Sequence, residues 1–199
     1  MQNPRIAVAN LKGGVGKTTL ATALAEAFDA LLVDLDPQGD AAAWASRAGR
    51  RAVHPHDWKE ALGLIEAEAG PVVIDCPPGE GPSMRAALTV ASVAVVPTKA
   101  AAQDLRAVGR MLRLTSDARK ANRRLRVGLI LNEVKTGTTA AETVEQDLRK
   151  LDGATFLGTI HSRQAIADAF TAGKPASGPA RDELAVVISR VRAFVRRES

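Results

Sequence analysis

Tyrosine is absent from this 199-residue chain, cysteine occurs once, and the aromatic residues amount to four Phe and two Trp. A core with so few rings must be closed by Ala, Val, Leu and Ile, the bulk of a 46% hydrophobic composition that is ordinary for a globular protein. A lone thiol cannot form an internal disulfide, which excludes a disulfide-held secreted scaffold and fits a reducing compartment. No apolar run approaches the roughly 18–20 residues that span a bilayer. The opening MQNPRIAVAN lacks the charged start and apolar stretch of a secretion signal. These absences predict a cytoplasmic protein folded as one domain over residues 1–199.

The net charge of +5 is unevenly spread. Residues 1–100 carry 9 Lys+Arg against 11 Asp+Glu, and residues 101–199 carry 18 against 11. The basic excess therefore lies in the second half, where it suits a polyanionic partner or simply a solvated surface.

Short β-branched runs alternate with helix-like segments. Strands are expected at Arg5–Asn10, Leu31–Asp34, Val72–Asp75, Val93–Val96 (closed by Pro97), Val127–Leu131 and Phe156–Ile160. Helices are expected near Lys17–Phe28, Asp57–Ala69 with Asp57 as N-cap, Ala102–Ala121, Ala140–Leu151, Gln164–Ala172 and Arg181–Arg197, with GKPASGP (173–179) as a loop. Alternation of this kind predicts an α/β fold: a mostly parallel, twisted sheet with helices on both faces. The connection Asp29-Ala30 is so short that the first helix is expected to be trimmed at its end.

Residues with distinctive chemistry gather at the strand ends, where open α/β sheets bind ligands. NLKGGVGKTTL, residues 10–20, ends as a phosphate-binding loop does but has Leu11 where the usual pattern has its first glycine, and a second lysine, Lys12, beside it. Gly13, Gly14 and Gly16 would allow left-handed turns that aim backbone N–H groups, including those of Val15, at phosphate oxygens. A helix starting at Lys17 would add its dipole, Lys17 would meet the β- and γ-phosphates, and Thr18, followed by Thr19, would offer a hydroxyl to Mg²⁺. LLVDLDPQGD carries Asp34 and Asp36, VVIDCPPG carries Asp75, and Asn132 ends VGLILN. Each of these alone reads equally well as a turn or capping residue. His54, His56 and Asp57 read as a turn and cap rather than a metal site, and Cys76 as a buried small side chain.

The pattern K-G-G-x-G-K-[ST] at Lys12–Thr18 resembles the deviant Walker A loop of the ParA/MinD family of P-loop ATPases. The resemblance implies a single-domain P-loop NTPase that binds ATP and Mg²⁺ and hydrolyses ATP slowly. It implies that Lys12 reaches across a homodimer sandwiching two ATP molecules, and that Asp36 aligns the attacking water. Asp34 and Asp75 would lie in the magnesium shell, the carboxylates acting through water, and Asn132 would read the adenine edge. Gly79 and the two prolines before it would form a γ-phosphate switch, Arg163 occupies a recurring position, and Asp40 stands where asparagine or serine is common. The single cysteine argues against the iron–sulfur members, and one copy of the loop against the fused arsenite-pump ATPases.

Length suggests short ParA-type proteins without an N-terminal helix-turn-helix domain. Their behaviour implies non-specific DNA binding, association with the nucleoid when ATP-bound, and a ParB-like or adaptor partner that stimulates hydrolysis, so that plasmid, chromosome or protein cargo is segregated or spaced. DNA-contact candidates are Arg106, Arg110, Arg113, Arg123 and Arg124 in one basic segment, and Arg190, Arg192 and Arg196 with Arg197 in another; contacts would be to phosphate. Alternatives are a MinD-like membrane-cycling regulator, whose liposome binding would depend on Arg192–Ser199, and a ligase or carboxylase on the same fold, such as dethiobiotin synthetase.

Overall fold

The computed structural model describes residues 3–136 and 139–196, the side chains at 102, 139 and 140 excepted. Seven strands, β1 (Arg5–Val8), β2 (Leu31–Asp34), β3 (Ala52–Val53), β4 (Val72–Asp75), β5 (Val93–Thr98), β6 (Arg126–Val134) and β7 (Thr155–His161), form one sheet in the order β3-β2-β4-β1-β5-β6-β7. Every pairing is parallel. RIAV, LLVD and VVID are near-continuous apolar runs because a parallel sheet is covered on both faces. Alternate residues point to opposite sides. Ala7, Val33, Ile74 and Leu129 meet α3 (Trp58–Ala67), α4 (Pro82–Val90), α5 (Ala102–Ala118) and α6 (Thr139–Arg149). Ile6, Val8, Leu32 and Ile130 meet α1 (Lys17–Phe28), α2 (Asp40–Ala48), α7 (Gln164–Ala172) and α8 (Gly178–Arg196).

Several boundaries differ from expectation. Helix α1 is not trimmed: Asp29 takes the left-handed conformation (φ 49°) and its N–H caps the carbonyls of Ala25 and Glu26, so the chain turns within two residues. Strand β5 runs through Pro97, because its ladder with β1 ends at Val95 while pairing with β6 continues at Pro97↔Ile130 and Thr98↔Leu131. Helix α8 starts at Gly178, inside the expected loop. Elements α2, β3 and α4 have no counterpart among the expected strands and helices; Pro82 at the first helical position, behind Gly81, is the signal that marks α4.

Strand β1 is central, with β4 on one side and β5 on the other. Strand β2 lies beyond β4, so the chain leaves β1 toward one edge and later continues toward the other. The crevice above the carboxyl end of β1 is therefore the topological switch point.

Candidate nucleotide-binding site

Asn10, fully buried beyond β1, builds the entrance of the loop. Its amide nitrogen donates to the Pro97 carbonyl (2.7 Å), and its Oδ1 accepts from the Lys12 N–H (2.9 Å). Gly14 (φ 68°) and Gly16 (φ 87°) take left-handed backbone, whereas Gly13 does not; Gly13 lies instead beside Pro78. At Gly16 glycine is required twice over, since a Cβ there would lie 2.1 Å from the Asn132 amide nitrogen. Gly16 is also the N-cap of α1 and offers no side-chain acceptor. The first N–H groups of α1 are thus left to a ligand at the positive end of the helix, the arrangement that binds phosphate.

Lys17 is buried and donates to the Lys12 carbonyl (3.2 Å). Burial lowers its pKa, opposed by the negative charge of Asp75 and, more weakly, Asp36. Asp75 ends β4 on the crevice floor, 1% exposed, and neither carboxylate oxygen has a hydrogen bond of normal geometry among the described residues. Burial first, and the neighbouring Asp34 charge second, push its pKa up to about 7. The Thr18 hydroxyl and Lys17 ammonium pull the other way, although the Thr18 contact falls short of hydrogen-bond geometry. An orphaned buried carboxylate next to a threonine hydroxyl fits a divalent cation held by few protein ligands, as Mg²⁺ usually is.

Asp34, the register partner of Asp75 across β2 and β4, spends its carboxylate on backbone. Oδ1 accepts from the Asp36 N–H (3.0 Å) and Oδ2 from the Ala42 N–H (2.9 Å). Burial raises its pKa against those two bonds. This is a loop-shaping arrangement, tying the β2 end to α2, and it leaves Asp34 less suited to the magnesium shell than Asp75. Asp36 is half-buried at the mouth; Oδ1 accepts from the Gln38 N–H (3.1 Å). Asp40 opens α2 behind the left-handed N-cap Gly39. The Pro77-Pro78-Gly79 loop touches the phosphate loop directly, through the Gly79 N–H and the Leu11 carbonyl (2.9 Å).

A cavity of about 260 Å³ opens beside the helix start, lined among others by Gly16, Thr19, Asn132, Glu133, Ser162 and Arg163. Asn132 donates to the Val15 carbonyl (2.9 Å), so the residue expected at the adenine edge also braces the phosphate loop. Glu133 has left-handed backbone (φ 55°), unusual for a non-glycine residue, at a register shift of β6, and pairs with Lys99 (2.6 Å). Arg163 is held by Glu183, Nε to Oε2 at 2.9 Å, and the same carboxylate meets His161.

Lys12 lies at the entrance with a one-third exposed side chain, its Nζ 2.6 Å from the Asp104 carboxylate of α5. The basic segments divide. Arg106, Arg110 and Arg113 are exposed along α5, flank a shallow hollow with Gln103 and Gly109, and make no ion pair or hydrogen bond among the described residues. Arg123 and Arg124 are exposed beyond α5. Arg190 donates to the Leu157 carbonyl (3.3 Å), and Arg192 donates to the Ala27 carbonyl while lying over the Phe28 ring. Arg196 is exposed, and Arg197 lies outside the described residues. Asp57 caps α3, accepting from the N–H groups of Lys59 (2.8 Å) and Glu60 (2.9 Å). Cys76 is fully buried, and that burial raises its thiol pKa.

Asn10, Asp104 and Glu133 escape sequence reasoning. The only advance signal for them is a polar residue at the end of an apolar run or in the first turn of a helix.

The model of the CobQ/CobB/MinD/ParA nucleotide-binding domain matches residues 6–176. The chain is 32% identical over 213 aligned residues to the chromosome-partitioning ATPase Soj of Thermus thermophilus, covering 85% of this chain and 86% of that one. It is 29% identical over 174 residues to the maintenance of carboxysome distribution protein A of Halothiobacillus neapolitanus, with 81% and 80% covered. Among solved structures it resembles a plasmid partition protein of Borrelia burgdorferi bound to AMPPNP, with a TM-score of 0.78 and 18% identity over 98% and 99% of the two chains.

Proposed function

This chain belongs to the CobQ/CobB/MinD/ParA nucleotide-binding family, and we propose on that footing that it is an ATPase that dimerises around ATP and, as a dimer, binds DNA without sequence preference. The observation that carries the reading is Lys12, whose partly exposed ammonium stands at the loop entrance while Lys17 is buried beneath. A second cation so placed serves a charge outside its own loop, and a partner chain's triphosphate is the charge the family resemblance supplies.

ATP phosphates would take the uncapped N–H groups of α1, and Lys17 would exchange the Lys12 carbonyl for the β- and γ-phosphates. Thr18 and Asp75 would hold Mg²⁺, which offsets phosphate charge when bound. Asp36, whose Oδ1 accepts from the Gln38 N–H while its other oxygen meets no backbone donor among the described residues, would orient the attacking water, since phosphoryl transfer asks the protein mainly for positioning and charge. Lys12 from the partner would meet the γ-phosphate in a water-poor interface, where a cation counts for more than at an exposed surface. The cavity beside Asn132 would take the nucleoside. A ParB-like or adaptor protein would stimulate hydrolysis and so release the dimer from the nucleoid, moving plasmid, chromosome or protein cargo.

A membrane-cycling reading gains no support from α8. Its apolar face, with Val187, Val191 and Phe194 buried, is spent on the core, and Arg126 ties the Phe194 (2.6 Å) and Val195 (3.1 Å) carbonyls to β6.

Light scattering after gel filtration tests the pairing step. With ATP and Mg²⁺ the wild type should elute as a dimer, with ADP or no nucleotide as a monomer, and Lys12→Ala as a monomer throughout. A Lys12→Ala dimer indistinguishable from wild type would refute the reading.

A further inference from the structure

We infer that Asp104 is a latch on Lys12: within the unpaired chain it holds the dimer-forming ammonium, and its release sets the protein concentration at which the ATP-bound chains pair. The inference rests on the dimer reading above.

Lys12 Nζ lies 2.6 Å from Asp104 Oδ1, with the acid's side chain 2% exposed and the lysine's 33%. The contact is an ion pair; Oδ1 has no other partner among the described residues. A buried carboxylate with one cationic partner resists losing it, because the charge left behind is uncompensated. Lys12 therefore cannot serve a neighbouring chain without a cost that Asp104 imposes.

The surroundings make that cost finite. Asp104 is the third residue of α5, at the positive end of the helix. The N-cap, Ala101, contributes no side-chain acceptor, which leaves first-turn N–H groups, at the positive end of the helix dipole, for an acid of that turn to meet. The carboxylate thus has a second seat in its own first turn once the lysine departs. The lysine backbone need not move, since Asn10 fixes the Lys12 N–H (2.9 Å). Lys17 also links the latch to nucleotide: it donates to the Lys12 carbonyl (3.2 Å) and gives up that bond on turning to phosphate. Asp104 acts through Lys12 and is a positioning residue for the dimer contact.

Asp104→Asn keeps the shape and removes the charge. Sedimentation with AMPPNP and Mg²⁺ should show Asp104→Asn dimerising at about tenfold lower concentration than wild type. The gain should vanish when Lys12→Ala is added, so that the double variant matches Lys12→Ala alone. Independently of any variant's folding, the Lys12 ammonium resonance of uniformly ¹⁵N-labelled wild type should be observable and protected without nucleotide, and should shift on adding AMPPNP. A wild type that stays monomeric with AMPPNP removes the dimer reading and the latch with it. A dimerising wild type with Asp104→Asn unchanged or weaker removes the latch alone. So does a gain that survives Lys12→Ala, or an unprotected Lys12 ammonium in the nucleotide-free chain.

Discussion

Asp75 is buried with no hydrogen bond of normal geometry to either oxygen among the described residues, and its pKa of about 7 stands above the ordinary value of 3.8 chiefly because of that burial. An acid whose folded pKa is raised weakens the fold as pH rises: between about 4 and 7 the folded state holds a proton the unfolded chain has lost. The nucleotide-free protein should therefore lose stability across that window from this group. Asp75→Asn should remove the penalty, stabilising the fold at pH 8 by on the order of 2 kcal/mol, or about 4–8 °C in Tm. The gain should shrink toward pH 4, and ATP hydrolysis should be lost. Melting curves at pH 5 and 8 check this; an Asp75→Asn protein less stable than wild type at pH 8 would show that the carboxylate is not an unmet charge. Gly16→Ala, with its Cβ driven against Asn132 and its backbone at φ 87°, should abolish nucleotide binding in calorimetry while costing roughly 1–3 kcal/mol of stability. Lys12, Lys17 and Gly16 are legible from sequence because a phosphate loop is one contiguous stretch whose chemistry is local. Asn10 is not, since its partner Pro97 lies 87 residues away, and nothing in the string of letters brings the two strand ends together.

Among the elements, the apolar runs of the central strands are legible because burial on both faces admits few polar residues. The helices read well where a cap or a long amphipathic stripe marks them, as Asp57 marks α3. Asp57→Ala removes the acceptor for two N–H groups and should lower the Tm by roughly 2–4 °C in a thermal melt. The end of α1 misled expectation because Asp29 adopts a conformation that glycine usually supplies. Asp29→Gly relieves a left-handed penalty of roughly 1–2 kcal/mol and adds a chain-entropy cost of about 0.5–1 kcal/mol, so the protein should gain up to about 1 kcal/mol; a lower Tm would mean that the aspartate side chain matters beyond its backbone angle. The short α2, β3 and α4 stayed hidden because the Ala- and Gly-rich stretches around them have weak periodicity, and packing on the sheet decides them.

For the molecule as a whole, the basic excess of the second half resolves into arginines tied to the body and arginines facing water. Arg126, Arg190 and Arg192 donate to backbone carbonyls of α8, β7 and α1 respectively, whereas Arg106, Arg110 and Arg113 form an exposed row on α5. If the dimer grips DNA through that row, replacing all three with alanine should flatten the slope of log K against log salt by roughly 3 per chain, and leave ATP-dependent dimerisation intact. An unchanged slope would move the DNA surface to Arg123, Arg124, Arg196 or elsewhere.

The most direct test of nucleotide-gated DNA binding is the affinity for random-sequence duplex DNA with ATP, ADP and no nucleotide, at two salt concentrations, for wild type and Lys12→Ala. Binding should require ATP, weaken with salt, and disappear in Lys12→Ala. DNA binding that is absent, or equal in all three nucleotide states, would contradict the account.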